Sequence, residues 1–100
     1  MHFPEIQGLE TIESPALLFI EEIIDANLRE MLRMVGNDPT RLRPHIKTHK
    51  TAEIIDRHIA LGIRHFKAST LSEAALCALR GAEDVLVAYP LQGPNLQHFK

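Results

Sequence analysis

The chain has 100 residues, 45% of them hydrophobic, with 11 Lys and Arg against 13 Asp and Glu. This is an ordinary globular composition, and its slight acidic balance argues against a general polyanion binder, so no nucleic-acid partner is expected. The longest apolar runs, "PALLFI" and "VLVAY", are far too short to cross a bilayer. "MHFPEIQGLE" lacks the regions of a signal peptide, and the single Cys77 excludes an internal disulfide. No membrane association and a cytoplasmic location are the expectations.

"PALLFI", Pro15 to Ile20, reads as a strand. "EEIIDANLREMLRMVGN" reads as a helix. Ile24, Leu28, Met31 and Val35 recur at helical spacing, acids stand in the first turn, and Gly36-Asn37 stops it. "LRPHIKTH" reads as a second strand. Thr51 then caps a helix, "AEIIDRHIAL", that ends at Gly62. "IRHFKAS" is a third strand. Thr70 and Glu73 have capping-box spacing and open a helix whose apolar face is read as Leu71, Ala75, Ala78 and Leu79. "DVLVAY", Asp84 to Tyr89, is apolar almost throughout, as in a parallel strand covered on both faces, and a fourth helix begins near Pro94.

Four β/α units in a row imply an α/β fold with a parallel sheet and right-handed crossovers. No G-x-G-x-x-G follows the first strand, which weakens the dinucleotide-binding alternative. A full (β/α)8 barrel needs about 250 residues. Residues 1–100 are therefore expected to form the N-terminal half of such a TIM-type barrel, with exposed sheet edges if alone.

"RLRPHIKTHKT", Arg41 to Thr51, gathers cations and imidazoles with no acid among them. Strand alternation puts Arg43, His45, Lys47 and His49 on one face and Leu42, Pro44, Ile46 and Thr48 on the other. In a barrel the ionisable row points inward, near the strand's C-terminal end, where barrel active sites lie. A lysine ringed by such neighbours is a candidate for Schiff-base chemistry, and an adjacent imidazole can move protons. The row also suits a phosphorylated cofactor or, alternatively, a phosphate- or nucleic-acid-binding strand. Two histidines at this strand spacing do not make a metal site by themselves. His58 and His65 read as helix-surface and strand-edge residues, Cys77 as a small core residue, and Tyr89 as an aromatic plug or site residue at a strand end.

"RPHIKTHKT", following a unit that begins "SPALLFIEEIIDANLREM", resembles the D-threonine aldolase and D-serine dehydratase family. "KASTLSEAALCALRGAEDVLVAYPLQGP" adds weaker support, so the resemblance covers most of the chain. These are fold-type III pyridoxal 5'-phosphate enzymes built on the alanine racemase N-terminal-domain barrel. The resemblance implies a lyase for D-β-hydroxy-amino acids, of aldolase or dehydratase type. Lys47 would carry pyridoxal phosphate as a Schiff base, and His45 would be the candidate acid/base group. Arg43, His49, Thr51 and Tyr89 would be further cofactor-site candidates. Thr51 stands where alanine racemases continue toward a phosphate-binding tyrosine, which argues against that activity. The resemblance also implies a homodimer and a divalent metal, manganese, zinc or similar, held by residues beyond this chain. The C-terminal half-barrel and β-domain would lie there too, leaving the 100-residue chain inactive alone. A non-catalytic pyridoxal phosphate carrier is the remaining alternative.

Overall fold

The computed structural model describes residues 4–99; Met1 to Phe3 of the stretch read for a leader, and Lys100, lie outside it. Its regular elements are α1 (Glu21–Met34), α2 (Ala52–Ala60), β1 (His65–Ala68), α3 (Leu71–Leu79), β2 (Asp84–Val87) and α4 (Pro94–Phe99), with short 3-10 turns at Leu9–Thr11 and Pro39–Arg41. The architecture is thus mixed α/β. β1 and β2 pair in parallel, Phe66 opposite Val85 and Lys67 opposite Leu86. The predicted second strand adds itself to the other side of β1 through one parallel bridge, His45 to Lys67. Two bonds hold it: Ile46 N–H donates to Lys67 O (3.0 Å) and Lys67 N–H donates to Pro44 O (2.9 Å).

The first predicted strand does not form. Residues 15–20 form no strand and pair with none, and Leu17 is 70% exposed. Apolar character alone does not make a strand; a neighbour must satisfy its amides. The last strand also ends early, at Val87, and Leu86 is exposed rather than covered. Both observations have one cause. Within this chain each segment lacks a layer on one side.

The helices follow their sequence signals more closely. In α1 Leu28 is buried and Ile24, Met31 and Val35 are half-buried, as their spacing requires. α2 ends at Ala60 with Leu61 as its C-cap, and Gly62 follows in the left-handed region, φ 87°. The face read for α3 is wrong. Its buried residues are Glu73 and Cys77, while Ala75, Ala78 and Leu79 face outward. The helix is apolar nearly all round, so composition could not choose the face.

The core is Ile46, Ile55, Ile63, Phe66 and Cys77, all fully buried, with Met31, Leu32, Ile59 and Leu76 packed around it. Burying each large side chain here contributes roughly 1.5–3 kcal/mol. Ile46, Phe66 and Ala68 point to the helices, so the register sends His45, Lys67 and Leu86 to the opposite face. That second face has no helical cover. The extents, 47 × 39 × 19 Å, describe a slab, and the radius of gyration is 15.9 Å. A compact chain of this length has about 13 Å.

Candidate functional site

The C-terminal ends of the three parallel segments lie side by side. Ile46 leads into a turn at Lys47, Thr48 and His49, Ala68 leads into Ser69, and Val87 leads into Ala88 and Tyr89. The turn closes on one carbonyl: His49 and Lys50 N–H both donate to Ile46 O, at 3.3 and 2.8 Å. Closing it puts Lys50 in the left-handed region, φ 50°, which is uncommon for a residue with a Cβ. The predicted row Arg43-His45-Lys47-His49 is therefore not one strand face. Alternation holds for Arg43 and His45 and stops at Ile46, where the chain turns.

Each member of the row has its own surroundings. Arg43 Nη1 donates to Phe66 O (3.0 Å) and to Asp84 Oδ1 (2.6 Å). Lys50 Nζ stands 3.8 Å from Glu73 Oε2. The acids missing from the run are supplied by β2 and α3. Among the described residues no carboxylate lies within ion-pair distance of Lys47, whose side chain is exposed.

His45 is half-buried and engaged at both ring nitrogens. Lys47 N–H donates to Nδ1 at 3.2 Å, and Nε2 lies 3.3 Å from Ser69 Oγ. His49 is turned elsewhere. Its Nδ1 accepts Thr51 N–H (2.9 Å), and its ring stacks on His58, centroids 6.3 Å apart. Burial, and then the neighbouring His58 charge, lowers the His49 pKa. His58 is buried, not on the helix surface as its sequence position implied. Its Nδ1 lies 2.8 Å from Ile54 O, and its ring meets Phe66 edge-on. Burial lowers its pKa too, against the opposing carbonyl contact. Thr51 occupies the N-cap of α2, but its hydroxyl donates back to His49 O (2.6 Å) instead of capping.

Glu73 is the residue whose importance sequence reading missed. Its side chain is buried. Oε1 accepts Ser69 N–H (3.1 Å) and Oε2 accepts the Thr70 hydroxyl (3.1 Å), while Thr70 Oγ1 accepts Glu73 N–H (3.2 Å). Burial pushes the carboxyl pKa up, but these hydrogen bonds and then the Lys50 charge hold it below the usual range. The T-x-x-E spacing was a readable signal for the cap; its place beside His45 was not. Cys77, buried and near Glu73, has its thiol pKa raised, as suits a core residue.

Two depressions flank the His45–Ser69 contact. One, about 450 Å³, is lined by Phe19, Leu28, His45, His49, Ile54 and His58 among others. The other, about 330 Å³, is lined by Ser69, Thr70, Ser72, Tyr89 and Asn95 among others. The structure thus joins His45, at the end of the bridged segment, to the Lys47 amide in the turn that follows, and turns His49 toward His58. Arg43 is drawn toward Asp84, and exposed Tyr89 stands on the Ser69 side. Among the described residues no group of three or more His, Cys, Asp or Glu side chains is disposed to hold a metal ion, and no helix is long and apolar enough to cross a membrane.

Parallel β/α packing places an exposed lysine and an imidazole where a strand ends, the end at which parallel α/β folds carry their sites. The chain is 34% identical over 86 residues to a D-threonine aldolase from Arthrobacter sp., covering 86% of this chain and 23% of that protein. It is 31% identical over 80 residues to a D-threo-3-hydroxyaspartate dehydratase from Delftia sp. (strain HT23), covering 80% of this chain and 21% of that protein. The two matches support the D-threonine aldolase-like family for this sequence. The chain spans between a fifth and a quarter of the length of these curated relatives. No family model and no solved structure matches it.

Proposed function

We propose that this chain supplies the lysine-bearing part of a pyridoxal phosphate-dependent lyase acting on D-amino acids with a β-hydroxyl group. The observation that carries the reading is Lys47. It is an exposed amine with no carboxylate partner among the described residues, in the turn after the His45 bridge, within a segment similar to two enzymes named as an aldolase and a dehydratase. The same reading takes the β/α units as the first half of a (β/α)8 barrel, with the uncovered face of the sheet as its interior.

The donor set fits the aldehyde end of the cofactor, which needs a primary amine. It does not supply an obvious phosphate cradle: the α3 N-terminus is already filled by Glu73 and Thr70, and the Thr51 hydroxyl is turned to His49 O. No buried side-chain polar atom among the described residues is left unpaired for a ligand to satisfy. Lys47 would hold the cofactor covalently. When bound, pyridoxal phosphate supplies an electron sink for the bond broken at Cα. His45 would hold or move a proton at Nε2, the nitrogen that reaches Ser69 and that can be released toward a substrate hydroxyl. The apolar walls formed by Phe19, Leu28 and Ile54 would exclude water from one side of the imidazoles.

A polyanion-binding strand is less well supported, because Arg43 and Lys50 already stand against Asp84 and Glu73. Borohydride reduction of the full-length protein, followed by peptide mapping, tests the reading. Pyridoxyl on Lys47 is the expected result, and its absence there overturns it. Turnover of D-threonine against D-serine, with and without a chelator, then separates aldolase from dehydratase and reports any metal requirement.

A further inference from the structure

His45 is held by a chain of contacts that continues past the residues so far given roles. Its Nδ1 accepts Lys47 N–H at 3.2 Å. A neutral imidazole carries one hydrogen, so with Nδ1 accepting, that hydrogen is on Nε2. Nε2–H then donates to Ser69 Oγ at 3.3 Å. Ser69 is buried, 6% exposed, and its own N–H is fixed by Glu73 Oε1 at 3.1 Å. Glu73 is 4% exposed and makes three further ties: Thr70 hydroxyl to Oε2, Glu73 N–H to Thr70 Oγ1, and Lys50 Nζ at 3.8 Å. Lys50 sits at the end of the turn that carries Lys47. One buried carboxylate therefore fixes the backbone amide of the serine whose hydroxyl meets His45, and it also faces the far end of the lysine turn.

A helix cap alone does not require this. Thr70 already caps α3 by accepting Glu73 N–H. A carboxylate buried at a helix start, bonded to the amide of the residue before the cap, is placed to orient Ser69. Among the described residues, the side-chain partner of the Ser69 hydroxyl is the His45 ring.

We propose that Ser69 and Glu73 are positioning residues that hold His45 in its Nε2–H tautomer, with that proton aimed at the Ser69 hydroxyl while Nδ1 faces the Lys47 backbone amide. The inference rests on the reading of Lys47 as the cofactor lysine and His45 as the acid/base group. Ser69 acts directly on the ring, and Glu73 acts through Ser69. Loss of the hydroxyl frees the ring to swing and leaves proton transfer to a poorly aimed nitrogen, whereas the cofactor lysine is untouched.

The test uses the full-length protein loaded with pyridoxal phosphate, and Ser69→Ala, Ser69→Thr and Glu73→Gln variants. Ser69→Ala is expected to lower kcat on the better of D-threonine and D-serine about tenfold, with KM and the borohydride-trapped pyridoxyl on Lys47 unchanged. Ser69→Thr, which keeps the hydroxyl, is expected to recover most of the rate. Nitrogen-15 NMR of the imidazoles gives a readout independent of turnover. His45 is expected as the Nε2–H tautomer in the parent, with its ring N–H signal weakened by exchange in Ser69→Ala and Glu73→Gln. If Ser69→Ala does not fold, the parent spectrum still decides, since an Nδ1–H tautomer at His45 overturns the proposal. Full kcat in a folded Ser69→Ala variant whose Lys47 still carries pyridoxyl overturns the positioning role alone. A parent without pyridoxyl on Lys47 overturns the function and the positioning role together.

Discussion

Arg43 reaches Asp84 across the strand between them. Its Nη1 donates to Asp84 Oδ1 at 2.6 Å and, on the way, to the Phe66 carbonyl at 3.0 Å. Three parallel segments are thus stitched together on the sheet face that the helices do not cover. The pair is partly exposed, Arg43 34% and Asp84 57%, so solvent screens much of its attraction. A double-mutant cycle of Arg43→Ala and Asp84→Ala should give a coupling of about 0.5–1 kcal/mol in urea unfolding. A coupling indistinguishable from zero would show that the contact is incidental.

Phe66 is fully buried, touches the His58 ring edge-on and belongs to the core with Ile46 and Ile55. Phe66→Ala should cost about 3–5 kcal/mol. Far-ultraviolet circular dichroism during denaturation reads the loss directly, and a cost near 1 kcal/mol would mean that the site collapses around the vacancy.

His49 and His58 predict an acid limb in the stability profile. Burial lowers both pKa values from the ordinary imidazole range, so the folded state binds fewer protons than the unfolded state as the pH falls. The stabilisation due to keeping these rings neutral is complete above about pH 6.5 and is lost as pH falls from there through the lowered folded values. Urea midpoints should drop between pH 7.5 and 5, and His58→Gln should flatten part of that fall. A midpoint that stays constant over the interval contradicts the prediction.

Gly62 has φ 87°, and a Cβ built there would come within 3.2 Å of Pro39 Cγ. Gly62→Ala combines left-handed strain with a tight contact, so it should destabilise by about 1–2 kcal/mol. Thermal unfolding of the variant beside the parent measures it; equal midpoints would place the turn in another conformation.

Lys47 separates function from stability. Its side chain is exposed and makes no ion pair among the described residues. Lys47→Ala should therefore leave the unfolding free energy within about 0.5 kcal/mol, while, under the proposed function, the full-length variant takes up no pyridoxyl at this position and turns over neither D-threonine nor D-serine. A variant that still turned over either amino acid would exclude Lys47 as the cofactor lysine.

Helical periodicity, Gly stops and the T-x-x-E spacing placed α1, α2 and α3 in the right stretches, because those signals are local. The α3 face and the first strand went astray for a shared reason. Leu79 and Leu17 are apolar, but what covers them is a question about neighbours, and both stay exposed here. The histidines divide similarly. His45 beside Lys47 follows from a spacing of two residues, whereas the burial of His58 required knowing that α2 lays that ring against Phe66.

By itself, then, the amino-acid sequence determined the stretches that become α1, α2 and α3 and the nearness of His45 to Lys47, all properties of residues a few positions apart. Only the tertiary structure decided that the cationic run turns after Ile46. It alone supplied the pairings of Arg43 with Asp84 and Lys50 with Glu73, and the meeting of Ser69 with His45. Those contacts join residues 23 to 41 positions apart in the chain. They arise from which strand lies beside which, and hydrophobic periodicity carries no information about strand neighbours.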